Sequence, residues 1–203
     1  MPQTTTNQTK TLRQKLRNQR LQLTPANTKR FGYLAARQFQ QIKHRSLHKN
    51  AKIAVFVDAF AELPTQALID KLTRRGCEIY LPVVTHRTKP LSFVKLNHNK
   101  LSNNRLITHR FGMQQPAKGK RLRAKQLDVI IMPLVAVDKQ GHRLGMGGGF
   151  YDKSLAKCHQ KPLKIGWAYD FQLVDNLVVN AWDIGVDMAV FPSLALRFCR
   201  YLI

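Results

Sequence analysis

Apolar residues along the chain fall into short runs whose spacing switches between helical and extended periods, with proline, glycine and small polar residues marking the breaks. From Thr9 to Leu21 the i, i+4, i+7 spacing collects Arg13, Arg17 and Arg20 on one face and sets Leu12 and Leu16 on another, which predicts a helix. Its basic face is read two ways, as a solvated surface or as a row of arginines aimed at phosphate. Thr24 as N-cap and Pro25 at the first helical position restart the chain. A second helix follows to about Lys43, with Phe31, Leu34, Ala35 and Ile42 as its apolar stripe. Ala51 to Val57 is a strand, Thr65 opens a helix that turns Ala67, Leu68 and Leu72 inward, and Gly76 closes it. Cys77 to Val84 is the next strand. Residues 51 to 84 therefore have the length of one βαβ unit, which argues for a parallel sheet.

Beyond His86 the pattern weakens. Leu91 to Leu96 could form an outer strand, and Arg110 to Ala124, basic and broken by proline, reads as loop. Val129 to Val137 restores a continuous apolar run and reads as one buried strand. It leads into Gly141, Gly145, Gly147, Gly148 and Gly149, and then into a helix over Phe150 to Lys157 with Leu155 and Ala156 inward. Leu163 to Ala168 is a further strand, and Met188 to Phe191 a last apolar stretch. No linker composition divides the chain, so residues 1 to 203 are expected to form a single domain, with residues 1 to 8 disordered.

The segment from Asp138 to Asp152 carries the most chemistry. A strand, a glycine-rich loop and a helix start aim backbone N–H groups at phosphate, and glycine lets a ligand approach the backbone closely. Arg143 adds a fork for phosphate oxygens, and Asp152 a hard-oxygen ligand suited to Mg²⁺. The alternative is a structural turn, although five glycines between residues 141 and 149 exceed what a turn needs. Glu62, in the loop after a strand, occupies the place where open α/β sheets bind ligands; it could equally be a cap or a surface charge. His44 and His48 share i, i+4 spacing without a nearby carboxylate and read as surface residues.

Charge changes the picture in one respect. Lys and Arg number 34 against 11 Asp and Glu, a net charge of +23, with no acidic residue before Asp58 or between Glu78 and Asp128. Such a field draws in polyanions: nucleic acid, nucleoside triphosphates or carboxylate-rich metabolites; part of it can be compositional bias on a solvated surface. The N-terminus is polar, and no apolar stretch approaches the ~18 residues of a membrane span. Cys77, Cys158 and Cys199, odd in number and widely spaced, fit reduced thiols in a cytoplasmic protein.

These features together resemble the 5-formyltetrahydrofolate cyclo-ligase (methenyltetrahydrofolate synthetase) family. The most specific match is Asp138-x-x-Gly141-x-Arg143-Leu144-Gly145-x-Gly147-x-Gly149-Phe150-Tyr151-Asp152. Supporting matches are Leu12-Arg13 with Arg17 and Arg20, Phe60-Ala-Glu62 with Thr65, Leu81-Pro82, Phe111-Gly112-Met113 with Pro116, Ile165-Gly166-x-Ala168-x-x-x-Gln172, and Asp183 with Val186-Asp187. The resemblance implies a three-layer αβα domain, Rossmann-like, with a central mainly parallel sheet and a basic N-terminal helix. It also implies ATP- and Mg²⁺-dependent cyclisation of 5-formyltetrahydrofolate to 5,10-methenyltetrahydrofolate. ATP would contact Arg13, Arg143, Leu144, Gly145, Met146, Gly147, Gly148, Gly149, Phe150 and Tyr151. The folate would contact Glu62, Met146, Gly147, Gly148, Gly149 and Phe150. Asp152 and Asp183 would hold Mg²⁺, and Arg143 and Asp152 would be catalytic. Phe150, Tyr151 and Trp167 are aromatics that could pack on a pterin or adenine, Trp167 fitting a core role better.

The chain departs from the family at three places. Many relatives have Lys where Thr9 stands, with Lys10 one residue away; Phe150 replaces the usual Tyr; and Gln115 stands where relatives often have Glu. The implied protein is a cytoplasmic monomer acting on 5-formyltetrahydrofolate, including polyglutamylated forms, with no membrane association and only non-specific affinity for nucleic acid. Two alternatives stand beside it: a basic nucleic-acid-binding module, although no nucleic-acid motif is present, and a folate- or nucleotide-binding paralogue without turnover.

Overall fold

The computed structural model describes residues 3–97, 101–158 and 162–198; Cys199 lies outside them. Helix α1 spans Gln3–Leu21 and α2 Pro25–Gln40. The Thr24 hydroxyl accepts the N–H of Asn27 and Pro25 opens α2, the predicted cap. Helix α1 begins at Gln3, six residues before the predicted start at Thr9.

Strand β1 (Lys52–Ala54), helix α3 (Gln66–Arg74) and strand β2 (Glu78–Val83) form the expected parallel βαβ unit. Thr65 opens α3, but its hydroxyl donates to the carbonyl of Phe56 and to Asp58 instead of capping the helix. Helix α3 buries Leu68, Ile69 and Leu72 completely; truncating any one to Ala costs about 2–5 kcal/mol. Strand β3 (Ser92–Lys95) follows. Strand β4 (Leu106–Thr108) precedes the region read as loop, Arg110 to Ala124, which itself contains β5 (Gln114–Pro116) and β6 (Arg121–Leu122). Strand β6 pairs outside β3, so β3 is not the edge. The pattern was silent there because two- and three-residue strands are too short to show alternation.

The apolar run from Val129 splits into two strands. Strand β7 (Val129–Pro133) belongs to the main sheet, while β8 (Ala136–Asp138) pairs with β9 (Arg143–Leu144) in a second, three-stranded sheet. Pro133 has no N–H to continue the ladder, and Leu134 and Val135 carry the chain across. Then come α4 (Phe150–Leu155), β10 (Leu163–Trp167), β11 (Leu173–Val174), β12 (Met188–Val190) and β13 (Ala195–Arg197).

The main sheet runs β13-β12-β10-β7-β1-β2-β3-β6. Its five inner strands, β12 through β2, are mutually parallel, and the strands flanking them pair antiparallel. Strand residues alternate between its faces: Ile53, Ile79, Val129, Ile131 and Ile165 pack with α2 and α3, whereas Ala54, Tyr80, Ile130, Met132 and Ala189 pack with Leu155 of α4 and with Leu127. Apolar residues on both faces suit a sheet covered on both sides. The second covering layer is thin, since α4 has six residues and Ala156 is exposed, against the longer helix expected. Helix α1 packs instead on the small sheet, through Leu16 against Val135, Ala136 and Leu144. After β1 the chain moves to β2 on one side and returns to β7 on the other, so the strand order reverses between β1 and β7, the switch point at which such sheets bind ligands.

Candidate active site

The C-terminal ends of β1, β2 and β7, the glycine segment and helix α1 line a cleft of about 1260 Å³. The site is built from two parts of the glycine segment that differ in packing. In the first, the buried Asp138 carboxylate accepts N–H groups of Gln140, His142 and Leu177 and bonds the His142 ring, which closes the β8–β9 turn. Gly141 has φ +83°, and a Cβ there would stand 2.8 Å from the Val186 carbonyl. In the second part the backbone opens. Gly147 has φ +96° with nothing within 4 Å of an added Cβ, and Gly149, φ +61°, precedes α4. Residues 145 to 149 all line the cleft. With only six residues in α4, the cation-like end expected of a helix start is weak, and side-chain cations carry more of the positive field.

Arg143 points from β9 with its side chain almost wholly buried, and its Nη2 donates to Asp152 Oδ1 at 2.6 Å. Burial lowers its affinity for the proton, and Asp152, Tyr151 and Asp183 oppose that. Its guanidinium lies 5.9 Å from the Tyr151 ring centroid. Arg13 reaches across from α1, its Nε donating to Gly145 O at 3.0 Å. Asp152 Oδ1 also accepts the N–H of Ile184 at 3.0 Å, which draws the Asp183 segment onto the loop. Asp183 Oδ2 accepts from the backbone and side chain of Asn180 at 2.8 and 3.1 Å. Among the described residues no cluster of three or more His, Cys, Asp or Glu could hold a metal. The two carboxylates both face the cleft, and two carboxylates with substrate phosphates form a normal Mg²⁺ donor set.

Glu62 lines the same cleft. Burial pushes its carboxyl up to about 7, partly offset by the N–H of Ala59, which Oε2 accepts at 3.1 Å, and by Arg20; Asp58 adds to the rise. The preceding residues, Phe60 and Ala61, have φ of +53° and +56°. Two consecutive non-glycine residues in the left-handed region cost roughly 1–2 kcal/mol each and mark a loop held by its surroundings.

The arginine row divides. Arg13 and Arg17 line the cleft, but Arg20 is 1% exposed and donates to the Leu134 carbonyl. Trp167 is core: it is 2% exposed and its indole donates to Pro64 O. Tyr151 and Phe150 line the cleft; burial and the nearby Glu62 push the Tyr151 phenol far above its ordinary value. Gln115 is buried and its Oε1 accepts the Val84 N–H, a contact a neutral amide makes without a charge to desolvate. Sequence reasoning did not single out Trp182 as a site residue, although it is 71% exposed on the cleft wall, nor the exposed Val178 and the cations Arg87 and Lys153. The one available signal was that Trp182 directly precedes Asp183. Phe60 and Phe111, also exposed, stand on the wall too, with Phe111 and Phe150 ring centroids 6.2 Å apart.

Known proteins resemble this chain over most of its length. The model of the 5-formyltetrahydrofolate cyclo-ligase family matches residues 5–192. The 5-formyltetrahydrofolate cyclo-ligase of Escherichia coli (strain K12) is 39% identical over 181 residues, 88% of this chain and 97% of that protein. The protein of the same name from Haemophilus influenzae is 38% identical over 136 residues, 65% of this chain and 71% of its own length. The NMR structure of Aquifex aeolicus 5,10-methenyltetrahydrofolate synthetase superposes with a TM-score of 0.78 at 28% identity, covering 96% of both chains. A Mycoplasma pneumoniae 5,10-methenyltetrahydrofolate synthetase, 20% identical and covering 90% of this chain and 97% of its own, gives 0.71 and bears on the fold alone.

Proposed function

The chain belongs to the 5-formyltetrahydrofolate cyclo-ligase family, and on that premise we propose that its cleft converts 5-formyltetrahydrofolate and ATP into 5,10-methenyltetrahydrofolate, ADP and phosphate. What carries the reading is one cleft that joins phosphate donors (Arg13, Arg143 and the bare backbone of 145–149), two carboxylates (Asp152 and Asp183) and, on its other side, the half-buried Glu62.

The chemical difficulty is that an amide oxygen leaves poorly. In the proposed reaction the formyl oxygen bonds to the γ-phosphorus as the bond to ADP breaks. N10 then bonds to the formyl carbon, and the oxygen departs within phosphate. Such a transfer needs alignment and charge neutralisation more than a protein nucleophile. Arg143, buried and oriented by Asp152, presents a fixed cation where negative charge develops. Arg13 holds the loop through Gly145 O and lends a second cation to the phosphates. Residues 143 to 151 cradle the nucleotide, and residues 146 to 150 also face the folate. Asp152 and Asp183 would hold Mg²⁺, which supplies charge neutralisation at the phosphate oxygens. Ionised Glu62 accepts hydrogen bonds from the pterin N–H groups. Arg87 and Lys153 at the rim suit the anionic glutamate tail, polyglutamylated forms included. The free thiols Cys77 and Cys158 agree with a cytoplasmic enzyme, and among the described residues no helix is long and apolar enough to cross a membrane.

The test is the methenyl-folate absorbance on mixing protein, 5-formyltetrahydrofolate and Mg²⁺, with and without ATP. A rise that needs ATP and disappears in Asp152→Ala is expected. No rise while ATP or folate still binds would replace this reading with that of a silent paralogue.

A further inference from the structure

Arg20 is a buried cation that the phosphate chemistry does not use. It lies one turn beyond the cleft-lining Arg17, is 1% exposed, and donates through Nη2 to Leu134 O; its Nε and Nη1 find no partner among the described residues. An incompletely bonded guanidinium inside a protein is costly, so its surroundings bear on what it does. The Leu134 carbonyl also accepts Gln172 Nε2 at 2.8 Å, and Gln172 donates to Val135 O as well. Gln172 Oε1 accepts the Tyr169 N–H at 2.9 Å, and Tyr169 Oη donates to the carbonyl of Glu62 at 3.3 Å. Gln172 and Tyr169 are each 1% exposed. A continuous buried chain of hydrogen bonds thus runs from helix α1 to the loop that holds Phe60 and Ala61 in the left-handed region.

We propose that Arg20 is a positioning residue for Glu62, acting through Leu134 O, Gln172 and Tyr169 on the loop and by its charge on the carboxylate. Helix α1 then serves both halves of the cleft, with Arg13 on the glycine loop and Arg20 beneath the Glu62 loop. The electrostatics run the same way: Glu62 is the leading opposite charge on Arg20, and Arg20 is the cation that bears on Glu62. The other groups facing Glu62 are Asp58 on its own loop, Tyr151 on α4 and Tyr169 after β10; none of these supplies a positive charge. The proposal rests on the reading of Glu62 as the folate-side carboxylate only for its kinetic consequence, not for the structural link itself.

The sequence allows a direct test, because its only glutamates are Glu62 and Glu78. Selective ¹³C-glutamate labelling therefore gives two carboxyl signals to follow with pH in the full chain without substrate. Glu78, held low by Lys95, serves as the internal control for a folded protein. In Arg20→Gln, which keeps a donor for Leu134 O and drops the charge, the Glu62 midpoint should rise by about one unit, while Arg20→Lys should return it towards the wild-type value. An unchanged Glu62 midpoint in Arg20→Gln, with Glu78 in place, overturns the proposal. Tyr169→Phe, which removes one hydroxyl and keeps the ring, gives the independent check should Arg20→Gln not fold. Its KM for 5-formyltetrahydrofolate should rise several-fold with the KM for ATP unchanged, and an unchanged folate KM, where Glu62→Gln does raise it, likewise overturns the link. If Glu62→Gln alone leaves the folate KM untouched, the folate-side reading fails, and the labelling experiment still decides the network.

Discussion

Residues 138–144 and 145–149 are neighbours in one glycine-rich segment, yet they are built for different ends. In the first stretch the turn is tied down: Asp138 takes three backbone N–H groups, and Gly141 sits where a side chain would strike Val186 and Phe198. In the second, an added Cβ at Gly147 meets nothing. The first set of residues holds a hairpin against the protein, whereas the second lines the cleft and is open at Gly147, although a Cβ at Gly148 would stand 2.8 Å from the Phe150 ring. A single run of glycines therefore mixes packed positions with an open one on the cleft, and the two are told apart by what surrounds each α-carbon.

The sharpest way to break this division is at its far end. Asp152→Ala should lower turnover by about three orders of magnitude, measured from the ATP-dependent methenyl-folate absorbance. It should also lower the melting temperature, because the buried Arg143 loses its carboxylate. Paired glycine substitutions test the division itself. Gly141→Ala should cost about 2–4 kcal/mol in denaturant unfolding through the clash and the positive φ, with turnover per folded molecule held. Gly147→Ala should cost only about 1 kcal/mol of stability and reduce kcat/KM roughly 10- to 100-fold. Equal effects of the two on both measurements would erase the distinction.

A smaller effect follows from Glu62 on the opposite wall. Its folded value of about 7 lies above the ordinary 4.5, so its contribution to stability is complete below about 4.5 and is lost as pH rises through 7. In the proposed folate-side role, binding runs the other way, since an ionised Glu62 would accept from the pterin. The kcat/KM for folate should climb over the same interval in which stability declines, and Glu62→Gln should flatten both profiles. The smallest change is expected at the rim. Trp182→Ala should leave the melting temperature unchanged, as the ring is 71% exposed, and raise one substrate KM several-fold.

Long periodic segments were legible in the sequence: both N-terminal helices, the βαβ unit and the buried strands over Val129–Pro133 and Leu163–Trp167. Short strands between residues 106 and 122 were not, because two or three residues give no period to read. The apolar stretch after Val129 read as one strand because hydrophobicity does not register a change of sheet. Of the residues chosen from the sequence, Glu62, Arg13, the glycine loop, Asp152 and Asp183 converge on one cleft, whereas Arg20 and Gln115 go inward.

Local order by itself determined the secondary structure of the longer elements, the parallel arrangement around residues 51–84 and the presence of a glycine-rich loop between strand and helix, since these depend on spacing within a few residues. Only the tertiary structure decided which arginine of α1 is buried, which glycines are packed, and that Trp182 stands in the cleft wall. Those facts turn on Leu134, Val186 and Phe198, residues far away in sequence, and burial is a property of neighbours brought together by the sheet rather than of any one segment.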